Sequence, residues 1–180
     1  DGYSLIGSRW SNARVRKATF EGSELTGAEF PDADLTIAEF PDADLTMAEF
    51  PDADLFGTEF PNADLYAAKF LGAYLGDAEF PNAALFDAKF CNADLFTARF
   101  PDADLVNADF HRAKVYGAEF LDADCRSSNF TDAHLQDALF TRTDCREATF
   151  TSALIYETVF ADTRINSSTT FYDPENTYYD

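Results

Sequence analysis

Apolar residues recur at every fifth position of this chain from Leu5 to Ile165, without one slip. Phe occupies every tenth position from Phe20 to Phe160, and Leu occupies most of the positions midway between them. From Ala13 to Ala153, a small residue, usually Ala, stands two positions before each of these apolar residues. A period of five fits neither the 3.6-residue period of a helix nor the two-residue period of a strand. The pattern therefore predicts a repeated coil that turns a corner every few residues and points each fifth residue inward.

Proline supports the same interpretation. A proline directly follows an inward Phe at six places in the repeats, where it would break a helix. A missing N–H is tolerated only where backbone pairing does not need it, as at a corner. These six prolines are Pro31, Pro41, Pro51, Pro61, Pro81 and Pro101.

The units themselves resemble those of a known family. Residues 33–37 read Ala-Asp-Leu-Thr-Ile and residues 93–97 read Ala-Asp-Leu-Phe-Thr, and about 33 such units follow one another. They resemble the repeats of the pentapeptide repeat proteins. That resemblance implies an all-β chain folded as a right-handed quadrilateral β-helix, a β-solenoid, with four pentapeptides per coil and about eight coils.

In that frame Phe lines two opposite inner faces and Leu lines the other two, and one corner column consists of Pro41, Pro61, Pro81 and Pro101. Trp10 stands at an inward position near the start of the chain and is expected to act as N-terminal cap packing. We therefore expect the β-helix to occupy residues 1–165. Residues 166–180 form an acidic aromatic tail, for which a folded-back cap, a self-association element and disorder are the alternatives.

Acidic residues dominate the charged positions, with 33 Asp and Glu against 13 Lys and Arg and a net charge of -20. This charge argues against a nucleic acid or an anionic membrane as a partner and favours a basic protein. Residues 18–68 hold 13 acids and no base. The predicted partner-binding band within this stretch consists of Glu29, Asp34, Glu39, Asp44, Glu49, Asp54, Glu59 and Asp64.

Two hypotheses account for the acidity. The first is a DNA mimic, because a rod about 40 Å long with this charge approaches the charge of duplex DNA of equal length. The resemblance adds a partner, since some pentapeptide repeat proteins protect DNA gyrase and related topoisomerases by occupying the DNA-binding surface as dimeric rods. The alternative is a structural or scaffold module of unknown partner, whose acidity serves solubility or salt adaptation.

Outward aromatic residues form a second pattern. Phe56, Phe96 and Tyr116 are separated by multiples of twenty residues and are expected to form one vertical contact strip. Tyr66 and Phe86 belong to a second column half a coil away. Such a strip favours a protein partner or a homodimer.

No enzyme, cofactor or metal site is expected. The two His residues lack ligand spacing, and neither a nucleophile elbow nor a phosphate-binding Gly-rich loop occurs in the sequence. Cys125 and Cys145 stand twenty residues apart, where two buried thiols and a disulfide are both compatible with a twenty-residue coil. The chain begins with Asp rather than Met, which is consistent with trimming, and we expect a cytoplasmic location.

Overall fold

The computed structural model describes residues 2–171, which form a right-handed quadrilateral β-helix. Parallel pairing joins each residue that precedes an inward position to the residue twenty places later, as Glu24 is joined to Asp44. Twenty residues, or four pentapeptides, therefore complete one coil. The described strands are β1 (Leu139–Thr141) and β2 (Val159–Ala161), which are parallel. Elsewhere the pairing is limited to single-residue bridges, because each side is straight only briefly before the next turn.

The corners are turns with a positive φ at their third residue. In the turn from Phe30 to Ala33, Asp32 has a φ of 54° and the Ala33 N–H donates to the Phe30 carbonyl at 3.3 Å. A positive φ at this place is the mark of a type II turn, which favours Pro directly before it and accepts Gly, Asn or Asp. The Asp42 N–H donates to the Pro61 carbonyl of the next coil at 2.9 Å. The prediction that proline marks the corners is confirmed.

The rod has four outer faces, which we number 1 to 4 by the column of residues that pair from coil to coil. Face 1 carries Ser4, Glu24, Asp44, Asp64, Ala84, Asp104, Asp124, Asp144 and Arg164. Face 2 carries Arg9, Glu29, Glu49, Lys69, Lys89, Asp109, Asn129, Thr149 and Thr170. Face 3 carries Arg14, Asp34, Asp54, Tyr74, Asp94, Lys114, His134 and Leu154. Face 4 carries Thr19, Glu39, Glu59, Glu79, Arg99, Glu119, Leu139 and Val159. Each corner is named by the two faces that it joins.

Two columns of Phe fill the interior from opposite sides. The Phe40 and Phe60 rings, both behind face 4, stack at 5.1 Å and 7° between coils. Phe50, behind face 2, meets Phe40 edge to face at 6.4 Å and 81°. Leu residues fill the other two sides, so the predicted alternation of Phe and Leu faces is confirmed. Trp10 begins the series by stacking on Phe30 at 5.9 Å, as expected of cap packing.

The positions beside the core residues are Ala because the adjacent backbone leaves little room for a larger group. Of the four buried hydroxyls that replace Ala, those of Thr58, Ser128 and Thr143 find a backbone partner, whereas the Ser23 hydroxyl has none among the described residues. Thr58 Oγ1 donates to the Leu35 carbonyl at 3.0 Å, and Thr143 Oγ1 donates to the Phe120 carbonyl. The three bonded hydroxyls thereby avoid the cost of an unsatisfied polar group.

The coil continues beyond residue 165 through a one-residue insertion. Thr149 pairs with Thr170, which is 21 rather than 20 residues later, and Phe171 stacks on Phe150 at 4.9 Å. The stacking therefore extends six residues past the predicted boundary of the β-helix. The remainder of the predicted acidic aromatic tail lies outside the described residues. Within residues 2–171 there is no helix with the length and hydropathy that crossing a membrane requires.

Candidate interaction surfaces

The eight residues of the predicted acidic band are distributed around the whole rod. Each face receives two of them, for example Glu29 and Glu49 on face 2 and Glu39 and Glu59 on face 4. Asp34 and Asp54 lie on face 3, and Asp44 and Asp64 lie on face 1. A flat partner surface cannot contact all four faces together. The structure therefore divides the band into two halves.

Basic residues of the flanking coils pair with three of the four members on faces 2 and 3. Arg9 pairs with Glu29, and the Arg16 Nε lies 2.5 Å from Asp34 Oδ2. Lys69 Nζ lies 2.7 Å from Glu49 Oε1. These pairs are largely exposed, so each contributes little stability, but each neutralises one carboxylate.

The four members on faces 4 and 1 form no salt bridge with a described residue. Asp44 instead accepts hydrogen bonds from the Thr26 hydroxyl at 2.9 Å and the Thr46 N–H at 3.0 Å. Partial burial tends to raise the pKa of Asp44, but the hydrogen bonds from Thr46 and Thr26 outweigh this effect and lower it. The Asp44 carboxylate therefore stays charged at neutral pH.

This difference extends along the whole rod. Faces 4 and 1, with the corner between them, form what we call the acidic side, which carries fifteen acids, three bases and a net charge of -12. Its acids are Glu21, Glu24, Glu39, Asp42, Asp44, Glu59, Asp64, Glu79, Asp102, Asp104, Glu119, Asp122, Asp124, Asp144 and Asp162. Ten of these fifteen form no salt bridge with a described residue.

The opposite half of the rod is nearly balanced. Faces 2 and 3, with the corner between them, form the mixed side, which carries nine acids, six bases and a net charge of -3. Its bases are Arg9, Arg14, Lys69, Lys89, Arg112 and Lys114. Our sequence reasoning counted charge along the chain and missed this asymmetry. Grouping the charged residues by their position within each twenty-residue coil would have found it.

Asp and Glu have different local roles beside the core. An Asp that precedes Leu accepts the backbone N–H two residues later, as Asp54 does from Phe56 at 3.2 Å and Asp64 does from Tyr66 at 3.0 Å. Glu29 and Glu39 precede Phe-Pro, and proline has no N–H to donate. The Asp residues therefore also cap turns, whereas these Glu residues offer the same charge without that structural role.

The predicted aromatic strip lies on the 3–4 corner, with one member that the sequence did not indicate. Phe96 is exposed, while Phe56 and Tyr116 are half-buried. Tyr74 leans from face 3 over Gly76 and stacks on Phe56 at 5.9 Å and 10°. A Cβ added to Gly76 would approach the Tyr74 hydroxyl oxygen to 3.0 Å, so the glycine makes room for this ring. The available signal was Gly76, which stands between Phe56 and Phe96 in this column.

Further along face 3, His134 extends the strip, because its ring packs edge to face on Tyr116 at 5.5 Å. Tyr66 and Phe86 stack at 5.8 Å on the 1–2 corner, diagonally opposite. In this described part of the chain, His, Cys, Asp and Glu form no group of three that could hold a metal ion.

The two stacked cysteines are free thiols inside face 1. Burial raises the pKa of Cys125 well above its usual value, and the neighbouring Cys145 acts in the same direction. The Cys125 thiol therefore stays protonated, and both cysteines serve as small core residues, in agreement with the first of the two alternatives.

Comparisons with known proteins agree with this architecture. The family model described as a pentapeptide repeat region matches residues 93–170, and the model described as pentapeptide repeats matches residues 4–36. A comparison with curated protein sequences finds no significant match. A trypsin-treated variant of QnrB1, a plasmid-mediated fluoroquinolone resistance protein, has a similar structure, with a TM-score of 0.61 and 16% identity over 93% of this chain and 92% of that chain.

A second similar structure is HetL from the cyanobacterium Nostoc sp. Strain PCC 7120, a pentapeptide repeat protein involved in heterocyst differentiation regulation. It shares 20% identity over 91% of this chain and 88% of that chain, with a TM-score of 0.38. The family models, the twenty-residue coil and the Phe-and-Leu core lead to one conclusion. This chain belongs to the pentapeptide repeat family.

Proposed function

We propose that this chain is a non-catalytic binding rod whose acidic side imitates the charge of DNA toward a basic DNA-handling protein, with a topoisomerase such as gyrase as the partner. The observation that carries the proposal is the acidic side itself. Its net charge is -12, and most of its carboxylates form no salt bridge with a described residue. Unpaired charges project a field that a basic surface can meet.

The density of this charge resembles that of one DNA strand. Eight coils at ~4.8 Å give a rod about 38 Å long, so the acidic side carries roughly one net charge per 3 Å. One strand of B-DNA carries one phosphate per ~3.4 Å. A protein surface that reads DNA contacts mainly the phosphates, and it can therefore accept a rod that reproduces their spacing on one side.

The family relationship supports the choice of partner. Some pentapeptide repeat proteins protect gyrase, as the resemblance implied, and QnrB1 is described as a plasmid-mediated fluoroquinolone resistance protein. A topoisomerase acts on DNA inside the cell, so a cytoplasmic location is part of the proposal. Catalysis is not part of the proposal, because occupying a DNA-binding surface requires no chemical step.

Inhibition of gyrase supercoiling by two matched variants tests the proposal. The acidic-side variant combines Glu39→Gln, Asp44→Asn, Glu59→Gln and Asp64→Asn. The mixed-side variant combines Glu29→Gln, Asp34→Asn, Glu49→Gln and Asp54→Asn. Each variant removes four of the eight predicted band charges from the same coils and leaves a net charge of -16. The Asn substitutions keep the side-chain oxygen that caps each turn.

We expect the parent to inhibit supercoiling and the inhibition to weaken as salt rises. The acidic-side variant should need at least tenfold more protein for half inhibition, while the mixed-side variant should stay within about threefold of the parent. Equal losses in both variants would show that total charge, and not the acidic side, drives the effect. If the parent has no effect at any salt concentration, the scaffold hypothesis takes its place.

A further inference from the structure

We propose that the N-terminal part of face 1, together with the 1–2 corner beside it, binds arginine side chains of the partner. A guanidinium pairs there with an Asp carboxylate of face 1 and stacks on an aromatic ring of the corner. Because face 1 belongs to the acidic side, this role rests on the proposed function, and it adds which coils and which partner side chains make the contact. The residues of this arginine surface are Asp44, Asp64, Tyr66, Phe86, Asp104 and Val106.

Two arginines in the C-terminal part of the rod show how a guanidinium sits on face 1. Arg126 Nε lies 2.8 Å from Asp124 Oδ1, and Arg126 Nη2 lies 2.6 Å from Asp124 Oδ2, so the pair is bidentate. Arg146 bonds to Asp144 in the same way, with Nη2 2.6 Å from Oδ2. In both pairs the arginine stands on the 1–2 corner, two residues after its Asp. A guanidinium has the planar fork that such a bidentate pair requires, whereas an ammonium does not.

The equivalent carboxylates in the N-terminal part have no basic partner. Asp64 Oδ1 accepts the Tyr66 N–H at 3.0 Å, and Asp104 Oδ1 accepts the Val106 N–H at 3.1 Å. Neither carboxylate forms a salt bridge with a described residue. At the corner position that Arg126 occupies, the coils from residue 26 to residue 106 have Thr, Tyr, Phe or Val. A guanidinium from outside can therefore take the place that Arg126 takes in its own coil.

Aromatic rings stand beside these carboxylates. Tyr66 is 43% exposed, and its ring stacks on Phe86 of the next coil at 5.8 Å and 7°. A guanidinium that pairs with Asp64 lies next to this stack, because Tyr66 follows Asp64 by two residues. Arginine stacks on an aromatic face more favourably than lysine does. A carboxylate beside an exposed ring therefore favours arginine among basic side chains.

The 3–4 corner repeats the same Asp-Leu-aromatic sequence in a different charge environment. Asp94 precedes Phe96 by two residues, as Asp64 precedes Tyr66. Lys114 Nζ, however, lies 3.3 Å from Asp94 Oδ2, so this carboxylate already has a basic partner. Phe96 therefore provides a matched control for Tyr66, since both rings are exposed and only one stands beside an unpaired carboxylate.

Asp54 and Phe56 are a second such pair on the 3–4 corner. The Tyr74 ring stacks on Phe56 at 5.9 Å and 10°, so one face of the Phe56 ring is already covered. Phe56 is also half-buried, whereas Tyr66 is exposed. The 1–2 corner is thus the better place for a guanidinium to stack.

Binding of oligoarginine and oligolysine peptides of equal length tests the assignment by fluorescence anisotropy. We expect the parent to bind oligoarginine about fivefold more tightly than oligolysine. Tyr66→Ser should reduce this preference about threefold, because it removes the ring and leaves every charge in place. Tyr66→Phe should retain the preference. Phe96→Ser should change it by less than about 1.5-fold, because the neighbouring carboxylate already pairs with a lysine.

Replacement of arginines tests the geometry of the pairing. Arg126→Thr with Arg146→Thr removes the bidentate partners of two face 1 carboxylates and gives the corner the residue type of Thr46. Arg9→Thr with Arg16→Thr is the control, because it removes the partners of carboxylates on faces 2 and 3. Each double variant lowers the net charge from -20 to -22. We expect the first to bind oligoarginine about threefold more tightly than the second.

Three results would each overturn the assignment: equal affinity of the parent for the two peptides, equal losses of preference in Tyr66→Ser and Phe96→Ser, or equal affinities of the two double variants. All substituted side chains are exposed, and thermal melting should show that the variants fold. The peptides replace gyrase in these titrations. A parent that prefers oligoarginine but does not inhibit supercoiling would therefore contradict the proposed function alone.

Discussion

The acidic side and the mixed side share one backbone and one core, yet they differ in the fraction of their carboxylates that form salt bridges. Both repeat the same corner turns and are filled from within by Phe and Leu. On the mixed side, five of nine carboxylates have a basic partner, as Glu49 has Lys69. On the acidic side, ten of fifteen form no salt bridge with a described residue.

This comparison separates two kinds of requirement on the sequence. The inward positions accept almost nothing but Phe and Leu, because each must fill the same space against its neighbours above and below. The outward positions vary much more, since the backbone bridges form with side chains as different as Glu, Lys, Tyr and Ala. A solenoid can therefore carry different surfaces on its two sides at a small cost to its stability.

Truncation of a core side chain should lower the free energy of unfolding most. The loss should be about the same on the two sides. Phe80 lies behind acidic face 4 and Phe90 lies behind mixed face 2, and both rings are fully buried. We expect Phe80→Ala and Phe90→Ala each to lower the free energy of unfolding by about 3–5 kcal/mol, because each leaves a similar cavity. Denaturant unfolding should give costs within about 1 kcal/mol of each other. A clearly larger gap would mean that the two sides do not share one equivalent core.

Loss of a side chain that caps a turn should lower the free energy of unfolding by an intermediate amount. Asp44→Ala removes the acceptor of the Thr46 N–H, whereas Glu39→Ala removes a charge from the same side without removing a backbone partner. We expect Asp44→Ala to lower the free energy of unfolding by about 1 kcal/mol and Glu39→Ala to change it by less than about 0.5 kcal/mol. Asp44→Asn should retain most of the parent stability, because the amide oxygen can still accept. Equal costs for Asp44→Ala and Glu39→Ala would argue against the capping role.

Removal of charges should change the free energy of unfolding least. The change should have opposite signs on the two sides. Glu39→Gln with Glu59→Gln relieves repulsion between stacked, unpaired carboxylates, and should stabilise the protein by a few tenths of a kcal/mol at low salt. Glu29→Gln with Glu49→Gln removes the partners of Arg9 and Lys69 and should destabilise it by a similar amount.

Thermal melting in 10 mM and 1 M NaCl provides the measurement for these two double variants. At 1 M salt the Debye length is ~3 Å, so both differences from the parent should shrink toward zero. Stability changes of the same sign at low salt would contradict the distinction between paired and unpaired sides.

Much of the fold could be predicted because it depends on local repetition. The inward positions, the corner prolines and the place of Trp10 are each visible in a few neighbouring residues, and the structure confirms them. The one-residue insertion before Phe171 was not predicted, because the polar segment between Ile165 and Phe171 hides the shifted register.

The candidate surfaces were only partly predictable. The columns of Phe56, Phe96 and Tyr116 follow from the coil length, but the contribution of Tyr74 depends on its ring crossing from one face to the next. The pairing of Arg16 with Asp34 likewise joins residues of different coils across a corner. Such contacts depend on side-chain reach in three dimensions, which a linear pattern does not contain.

The sequence by itself determined a repeated coil with a Phe-and-Leu core and a strongly acidic surface, and the four-sided β-helix was implied by its resemblance to the pentapeptide repeat proteins. The coil, its core and its surface charge need only the residue type at each place in a short period. The tertiary structure alone decided which carboxylates are neutralised, which cap turns and which remain unpaired on the acidic side. The physical reason is that coiling brings residues about twenty positions apart to ~5 Å, where their hydrogen bonds and charges act on one another.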